Sequence, residues 1–125
     1  MNFDINVLVA DDMEGMRRIL TNSLHQMGVK NVLTASHGAE ALRMVQNHHV
    51  DVLISDWNMP VCTGLDLLRR VRGDAVLKAK PFVFLTATAR DDASREQGLA
   101  LGADAYLIRP IDPKLLLAEL RRRLA

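Results

Sequence analysis

Five short apolar runs alternate with five helix-like segments along the chain, and this alternation is the strongest constraint on its fold. The runs are rich in Val, Leu, Ile and Phe, and most lack the period-two pattern of a half-exposed strand. They cover residues 5–10, 32–35, 52–55, 82–85 and 105–108. Strands of this kind are covered on both faces, so the sequence predicts a doubly wound (βα)₅ domain of the α/β class.

The segments between the runs carry apolar residues at helical spacing. Helices are predicted over residues 14–27, around 41–45, around 65–71, over 91–101 and from Pro113 onward. Gly28 and Gly102 stand where the glycine after a helix is usual. Gly98 falls inside the fourth helical pattern, where glycine is unfavourable.

Length and composition restrict the class of protein. A chain of 125 residues is the size of one domain, predicted to span residues 1–125. Sixteen Lys and Arg against 15 Asp and Glu predict neither a nucleic-acid nor a membrane partner. The single cysteine, Cys62, is expected to be an unreactive thiol. With no secretory signal pattern and no run of about 20 apolar residues, a cytoplasmic protein is expected.

Polar side chains follow four of the predicted strands at their carboxyl ends. Asp11 and Asp12 follow the first strand, Asp56 the third, Thr86 the fourth and Arg109 the fifth. Ligand sites in doubly wound sheets lie at this edge, so these residues should meet there. Converging carboxylates repel one another, and a bound Mg²⁺ is the usual compensation.

A carboxylate beside such an ion can act as a nucleophile toward a phosphoryl group, and Asp56 on the middle strand is the best candidate. Two other interpretations stay open. Asp11 and Asp12 could instead cap the first helix, and Asp56 could be a solvated carboxylate at a strand end.

Four motifs together resemble the receiver domains of two-component response regulators. They are ADD after the first strand, SDWNMPVCTGLDLL around Asp56, LTA at the end of the fourth strand and YLIRP on the fifth. The resemblance covers the whole chain, and within the family it is greatest to the stand-alone chemotaxis regulators. It implies a flavodoxin-like parallel sheet of order 2-1-3-4-5 with helices on both faces.

The resemblance also implies a role for each site residue. Asp56 would accept a phosphoryl group from the phosphohistidine of a histidine kinase. Asp12, Asp56 and the backbone carbonyl of Asn58 would hold Mg²⁺, with Asp11 acting mainly through water. Turnover of small phosphate esters, as in a phosphatase, is disfavoured because such enzymes carry a second Asp at the position of Asn58.

A conformational switch is implied as well. Thr86 would contact the phosphoryl group, and Tyr106 would move inward when Thr86 moves. The surface of the fourth helix, fifth strand and fifth helix would then bind a downstream target, for which the flagellar switch is one candidate. The protein would be a monomer or a weak dimer.

One position departs from the family pattern. Arg109 stands where the family has Lys, and its planar guanidinium is not equivalent to a compact ammonium at a tight site. Arg109 is expected either to neutralise the phosphoryl group or to pair with Asp56 or Asp12 at rest. The alternative function is therefore an interaction module that binds its partner constitutively, with weak coupling to phosphorylation.

Overall fold

The computed structural model describes residues 3–60, 62–86, 92–108 and 113–124. The strands are β1 (Phe3–Ala10), β2 (Val29–Ala35), β3 (Val52–Ser55), β4 (Phe82–Thr86) and β5 (Ala105–Ile108). The helices are α1 (Glu14–Gln26), α2 (Gly38–Asn47), α3 (Gly64–Gly73), α4 (Asp92–Ala100) and α5 (Pro113–Leu124). The predicted alternation of strands and helices is confirmed.

The strands form one parallel sheet of order β2-β1-β3-β4-β5, as predicted. In the sheet register, Ala10 of β1 lies opposite Ala35 of β2 and Ser55 of β3. Thr86 of β4 lies opposite Ile108 of β5. The residues that follow these strands therefore leave the sheet at the same edge.

The sheet separates two apolar layers. Alternate strand residues such as Leu8 and Leu53 pack with Leu67 of α3 on one face. Their neighbours, such as Val9, pack with Leu20 of α1 on the other face. Every residue of β3 and β4 is buried, as the continuous apolar runs predicted.

Strand β2 begins three residues earlier than the sequence pattern predicted. The added residues Val29, Lys30 and Asn31 include two exposed polar side chains. Strand β2 lies at the edge of the sheet, where such side chains reach solvent without a desolvation cost. Gly28, just before β2, has a φ of 99°, which accounts for glycine after α1.

Arg72 at the end of α3 joins three segments at the amino-terminal edge of the sheet. Its guanidinium donates to the carbonyl of Gly102 at 2.7 and 2.9 Å and to the carbonyl of Lys80 at 2.7 Å. It also forms a salt bridge of 3.2 Å with Asp104, whose carboxylate accepts the backbone N–H of Phe82. Burial lowers the pKa of Arg72 from its ordinary value, while Asp104 opposes that shift.

No helix within the described residues is long and apolar enough to cross a membrane.

Candidate functional site

Three carboxylates meet at the carboxyl edge of the sheet, as the sequence predicted. Ligand oxygens of Asp11, Asp12 and Asp56 all lie within 4.8 Å of one another. Asp11 is 0% exposed and Asp56 is 9% exposed, whereas Asp12 is open to solvent. The interpretation of Asp56 as a fully solvated strand-end carboxylate is therefore wrong.

Backbone hydrogen bonds between adjacent strands fix the positions of the two buried aspartates. The N–H of Asp11 donates to the carbonyl of Ala35 at 3.1 Å, and the N–H of Asp56 donates to the carbonyl of Ala10 at 2.9 Å. The hydrogen bonding of the sheet thus continues for one residue past the end of β1 and of β3, and that residue is the aspartate. The Oδ1 of Asp56 then accepts the N–H of Trp57 at 2.8 Å, which fixes the carboxylate orientation.

The helix-capping interpretation of Asp11 and Asp12 is wrong, because the N-cap residue of α1 is Met13. The Oδ1 of Asp11 accepts the N–H of Met13 at 2.9 Å in a local turn that precedes the helix. Arg17 donates to the backbone carbonyl of Asp11 at 2.7 Å and ties α1 to the acidic pair. Sequence reasoning missed Arg17, since its contact is with a backbone atom.

The loop after Asp56 packs closely against the start of α3. A Cβ at Gly64 would overlap the carbonyl oxygen of Asp56, and the Gly64 N–H donates to the carbonyl of Trp57 at 3.0 Å. Thr63 begins α3 with a capping box, exchanging hydrogen bonds with Asp66. Gly64 therefore lets the first turn of α3 support the backbone of Asp56, a role that sequence reasoning missed.

Asn58 lies in the same loop, two residues after Asp56, and its side chain is exposed. The role given to its backbone carbonyl as a metal ligand stays a prediction.

Thr86 and Tyr106 occupy the neighbouring part of the sheet. Thr86 ends β4 and is 1% exposed, and Tyr106 of β5 is 8% exposed. The Tyr106 ring lies 6.1 Å from the Phe84 ring and 5.8 Å from the Trp57 ring, measured between centroids. Trp57 and Phe84 are 4.9 Å apart. An aromatic cluster of Trp57, Phe84 and Tyr106 thus connects the residue after Asp56 with β5.

Gly98 explains the irregularity in the fourth helical pattern. A Cβ at this position would lie 3.1 Å from the Trp57 ring and 3.2 Å from the Phe84 ring. The missing side chain lets α4 approach the aromatic cluster. A glycine inside a helical pattern was the available sequence signal, but its contact partner was not foreseeable.

The remaining predicted site residue, Arg109, lies outside the described residues. The two outcomes expected for Arg109, neutralising a phosphoryl group or pairing with a resting aspartate, both stay predictions.

The donor set determines what this site can bind. Carboxylate oxygens at this separation suit a hard cation such as Mg²⁺, which takes oxygen ligands and retains water. A partly buried carboxylate held at one oxygen and adjacent to a cation can act as a nucleophile. The buried Thr86 hydroxyl on β4 adds a hydrogen-bonding group at the same edge of the sheet.

Comparison with known proteins gives one consistent result. The family described as "Response regulator receiver domain" matches residues 7–121. A chemotaxis protein CheY from Pseudomonas aeruginosa is 38% identical over 118 residues, covering 94% of each chain. A chemotaxis protein CheY1 from Helicobacter pylori is 39% identical over 117 residues, covering 93% of this chain and 94% of that protein.

Solved structures agree. The chemotaxis protein CheY4 of Vibrio cholerae superposes with a TM-score of 0.84 at 36% identity, covering 94% of this chain and 97% of that one. The receiver domain of Francisella response regulator 1452 gives a TM-score of 0.85 at 28% identity, covering 96% of both chains.

Proposed function

Because this chain belongs to the response regulator receiver domains, which are signalling modules, we propose that it accepts a phosphoryl group on Asp56 and transmits the change to a partner protein. The observation that carries this proposal is the convergence of Asp11, Asp12 and Asp56 within 4.8 Å at the carboxyl edge of the sheet. A structural role would not require three carboxylates in so small a volume.

In the proposed reaction, a carboxylate oxygen of Asp56 attacks the phosphorus of a phosphohistidine on a histidine kinase. A P–O bond forms as the P–N bond breaks, and the departing imidazole takes up a proton. Because one Asp56 oxygen accepts the N–H of Trp57, the carboxylate is oriented before the phosphodonor arrives. The Thr86 hydroxyl is proposed to hydrogen-bond a phosphoryl oxygen.

The carboxylates of Asp12 and Asp56 and the backbone carbonyl of Asn58 would hold Mg²⁺, with Asp11 contributing mainly through water. When bound, this ion neutralises the negative charge of the site and of the incoming phosphoryl group. Arg17 holds the carbonyl of Asp11 and so keeps the acidic pair in place.

The proposed output is a change at the surface of α4, β5 and α5. Leu99 of α4, Ile108 of β5 and Leu115 of α5 are exposed apolar side chains there. Such residues are suited to contact a target protein. The aromatic cluster of Trp57, Phe84 and Tyr106 supplies a packed connection from the Asp56 loop to β5. Since the relatives are chemotaxis proteins, a chemotaxis target such as the flagellar switch is proposed.

The second candidate is a constitutive interaction module, and it rests on Arg109. An arginine where the family has lysine would uncouple the target surface while the fold persists. Partner binding that does not respond to phosphorylation distinguishes this candidate from the first.

The test is to mix the protein with Mg²⁺ and acetyl phosphate and to record intact mass together with Trp57 fluorescence. We expect the mass of one added phosphoryl group and a change in emission, both absent in Asp56→Asn. Omitting Mg²⁺ should abolish the adduct. A folded protein with no adduct would refute phosphoacceptance and favour the constitutive module.

The Arg109→Lys variant then separates phosphorylation from switching. If Arg109 weakens the switch, this variant should be phosphorylated at a similar rate and show a larger difference in partner affinity between its two states. Equal differences in both proteins would mean that Arg109 does not uncouple the surface.

A further inference from the structure

A groove between α2 and α3 lies apart from the acidic cluster. It has a volume of about 400 Å³ and is lined by Ala39, Leu42, Arg43, Cys62 and Arg70. None of these residues belongs to the site at the carboxyl edge of the sheet, and the function proposed above does not use any of them.

The base of the groove is apolar and uncharged. Leu42 of α2 is half-buried, Ala39 one turn earlier is exposed, and Cys62 is buried where the loop meets α2. Burial raises the pKa of the Cys62 thiol above its ordinary value, with Asp66 adding to the shift. The thiol therefore stays neutral at physiological pH and acts as a small apolar surface.

Two arginines stand at the rim of this groove, Arg43 on α2 and Arg70 on α3. Both are exposed, and neither forms a salt bridge with any residue that the structure describes. The neighbouring Arg69, by contrast, pairs with Asp66 at 3.8 Å. Two cationic groups thus flank an apolar base.

We propose that this groove is a docking site for an acidic peptide segment of a partner protein, with an apolar side chain against Leu42 and carboxylates paired to Arg43 and Arg70. Charge complementarity favours an acidic peptide, because Arg43 and Arg70 would both repel a basic one.

The arrangement also favours a peptide over a small-molecule ligand. An apolar centre with charged groups at its edge is the usual anatomy of a protein interface, where arginine is enriched. Pockets for small organic acids instead place a few polar groups deep in the site. Here the cationic groups are exposed and the deep residue is Cys62. The docking site does not depend on Asp56, so the phosphoacceptor proposal can fail without affecting it.

The experiment uses a pair of synthetic peptides, acetyl-Glu-Glu-Leu-Glu-Glu-amide and its counterpart with lysine in place of each glutamate. Each is titrated into isotope-labelled protein while backbone amide shifts are recorded. We expect saturable shifts at residues 38–43, 62 and 66–70 for the glutamate peptide only. The Arg43→Gln/Arg70→Gln variant should bind about tenfold more weakly, the sum of two exposed ion pairs.

Arg69→Gln is the matched control, since Arg69 is exposed on the same helix but does not line the groove. It should change the affinity by less than about twofold. In Arg43→Glu/Arg70→Glu, preference should reverse toward the lysine peptide. The proposal is overturned if the shifts map to another surface, if Arg69→Gln weakens binding equally, or if no saturation occurs.

Two further probes test the occupant. Replacing the central leucine by glycine should weaken binding, since the apolar contact with Leu42 is lost. An unchanged affinity would indicate charge attraction alone and overturn the proposal. Free glutarate binding as tightly as the peptide would identify a small-molecule site and also overturn it.

Discussion

Gly64→Ala places a methyl group where the carbonyl oxygen of Asp56 already lies. The overlap is with backbone, which cannot rotate away as a side chain would, so the first turn of α3 must move. That movement strains the 3.0 Å hydrogen bond from the Gly64 N–H to Trp57, worth about 1 kcal/mol. Overpacking adds about 1–3 kcal/mol, and the better helix propensity of alanine returns at most about 1 kcal/mol.

The net expectation for Gly64→Ala is a loss of about 2 kcal/mol in the free energy of unfolding. With a urea m-value of about 2 kcal/mol/M, the midpoint should fall by about 1 M. Phosphorylation by acetyl phosphate should slow as well, because the Asp56 backbone is displaced. Gly15→Ala is the control: Gly15 also lies in the first turn of a helix, but a Cβ added there would meet nothing within 4 Å beyond its chain neighbours and its own helix backbone.

Gly15→Ala should leave stability equal or slightly raised. If Gly64→Ala were as stable as the unmodified protein and were phosphorylated at the same rate, the close approach of α3 to Asp56 would not matter, and the reasoning would be wrong.

Three more outcomes are expected. Arg72→Met should lower the free energy of unfolding, measured by urea denaturation, by about 2–4 kcal/mol because several backbone carbonyls lose a donor. Arg72→Lys should recover less than half of this loss, because an ammonium cannot reach all of these carbonyls. Gly98→Ala should shift Trp57 emission by displacing the ring. Gly73→Ala should leave the emission unchanged, because a Cβ added there would meet nothing within 4 Å beyond its chain neighbours and its own helix backbone. Identical spectra for Gly98→Ala and the unmodified protein would argue against the contact. Burial raises the pKa of Cys62, so the neutral thiol makes its full contribution to stability below the unfolded thiol pKa of about 8.5. Above that pH the contribution falls, because the thiol loses its proton at a lower pH in the unfolded protein than in the folded one. The difference in unfolding free energy between the unmodified protein and Cys62→Ala should therefore shrink as pH rises from about 8 to 10, and a constant difference would contradict this.

Much of the fold could be predicted from local sequence. Strands β3 and β4 are nearly continuous apolar runs, because a strand covered on both faces needs apolar side chains at almost every position. The carboxylate cluster could also be predicted from the sequence, because the topology of parallel strands brings the residues after β1 and β3 to one edge.

The contacts that could not be predicted join segments distant in sequence. Arg72 binds Gly102, 30 residues away, and nothing in the local pattern of α3 distinguishes it from the exposed Arg69 and Arg70. The approach of Gly64 to the Asp56 backbone is also a matter of three-dimensional placement. Local periodicity identifies which face of a helix is apolar, but it does not say which backbone atom the helix will touch.

The arrangement of Arg72 has a consequence for protein engineering. The segment from Asp74 to Pro81 connects α3 to β4 at the surface, which would ordinarily make it suitable for inserting a tag or a reporter domain. Yet Arg72 donates hydrogen bonds to the carbonyls of both Lys78 and Lys80. Residues inserted near them would break the hydrogen bonds that hold this segment against α3.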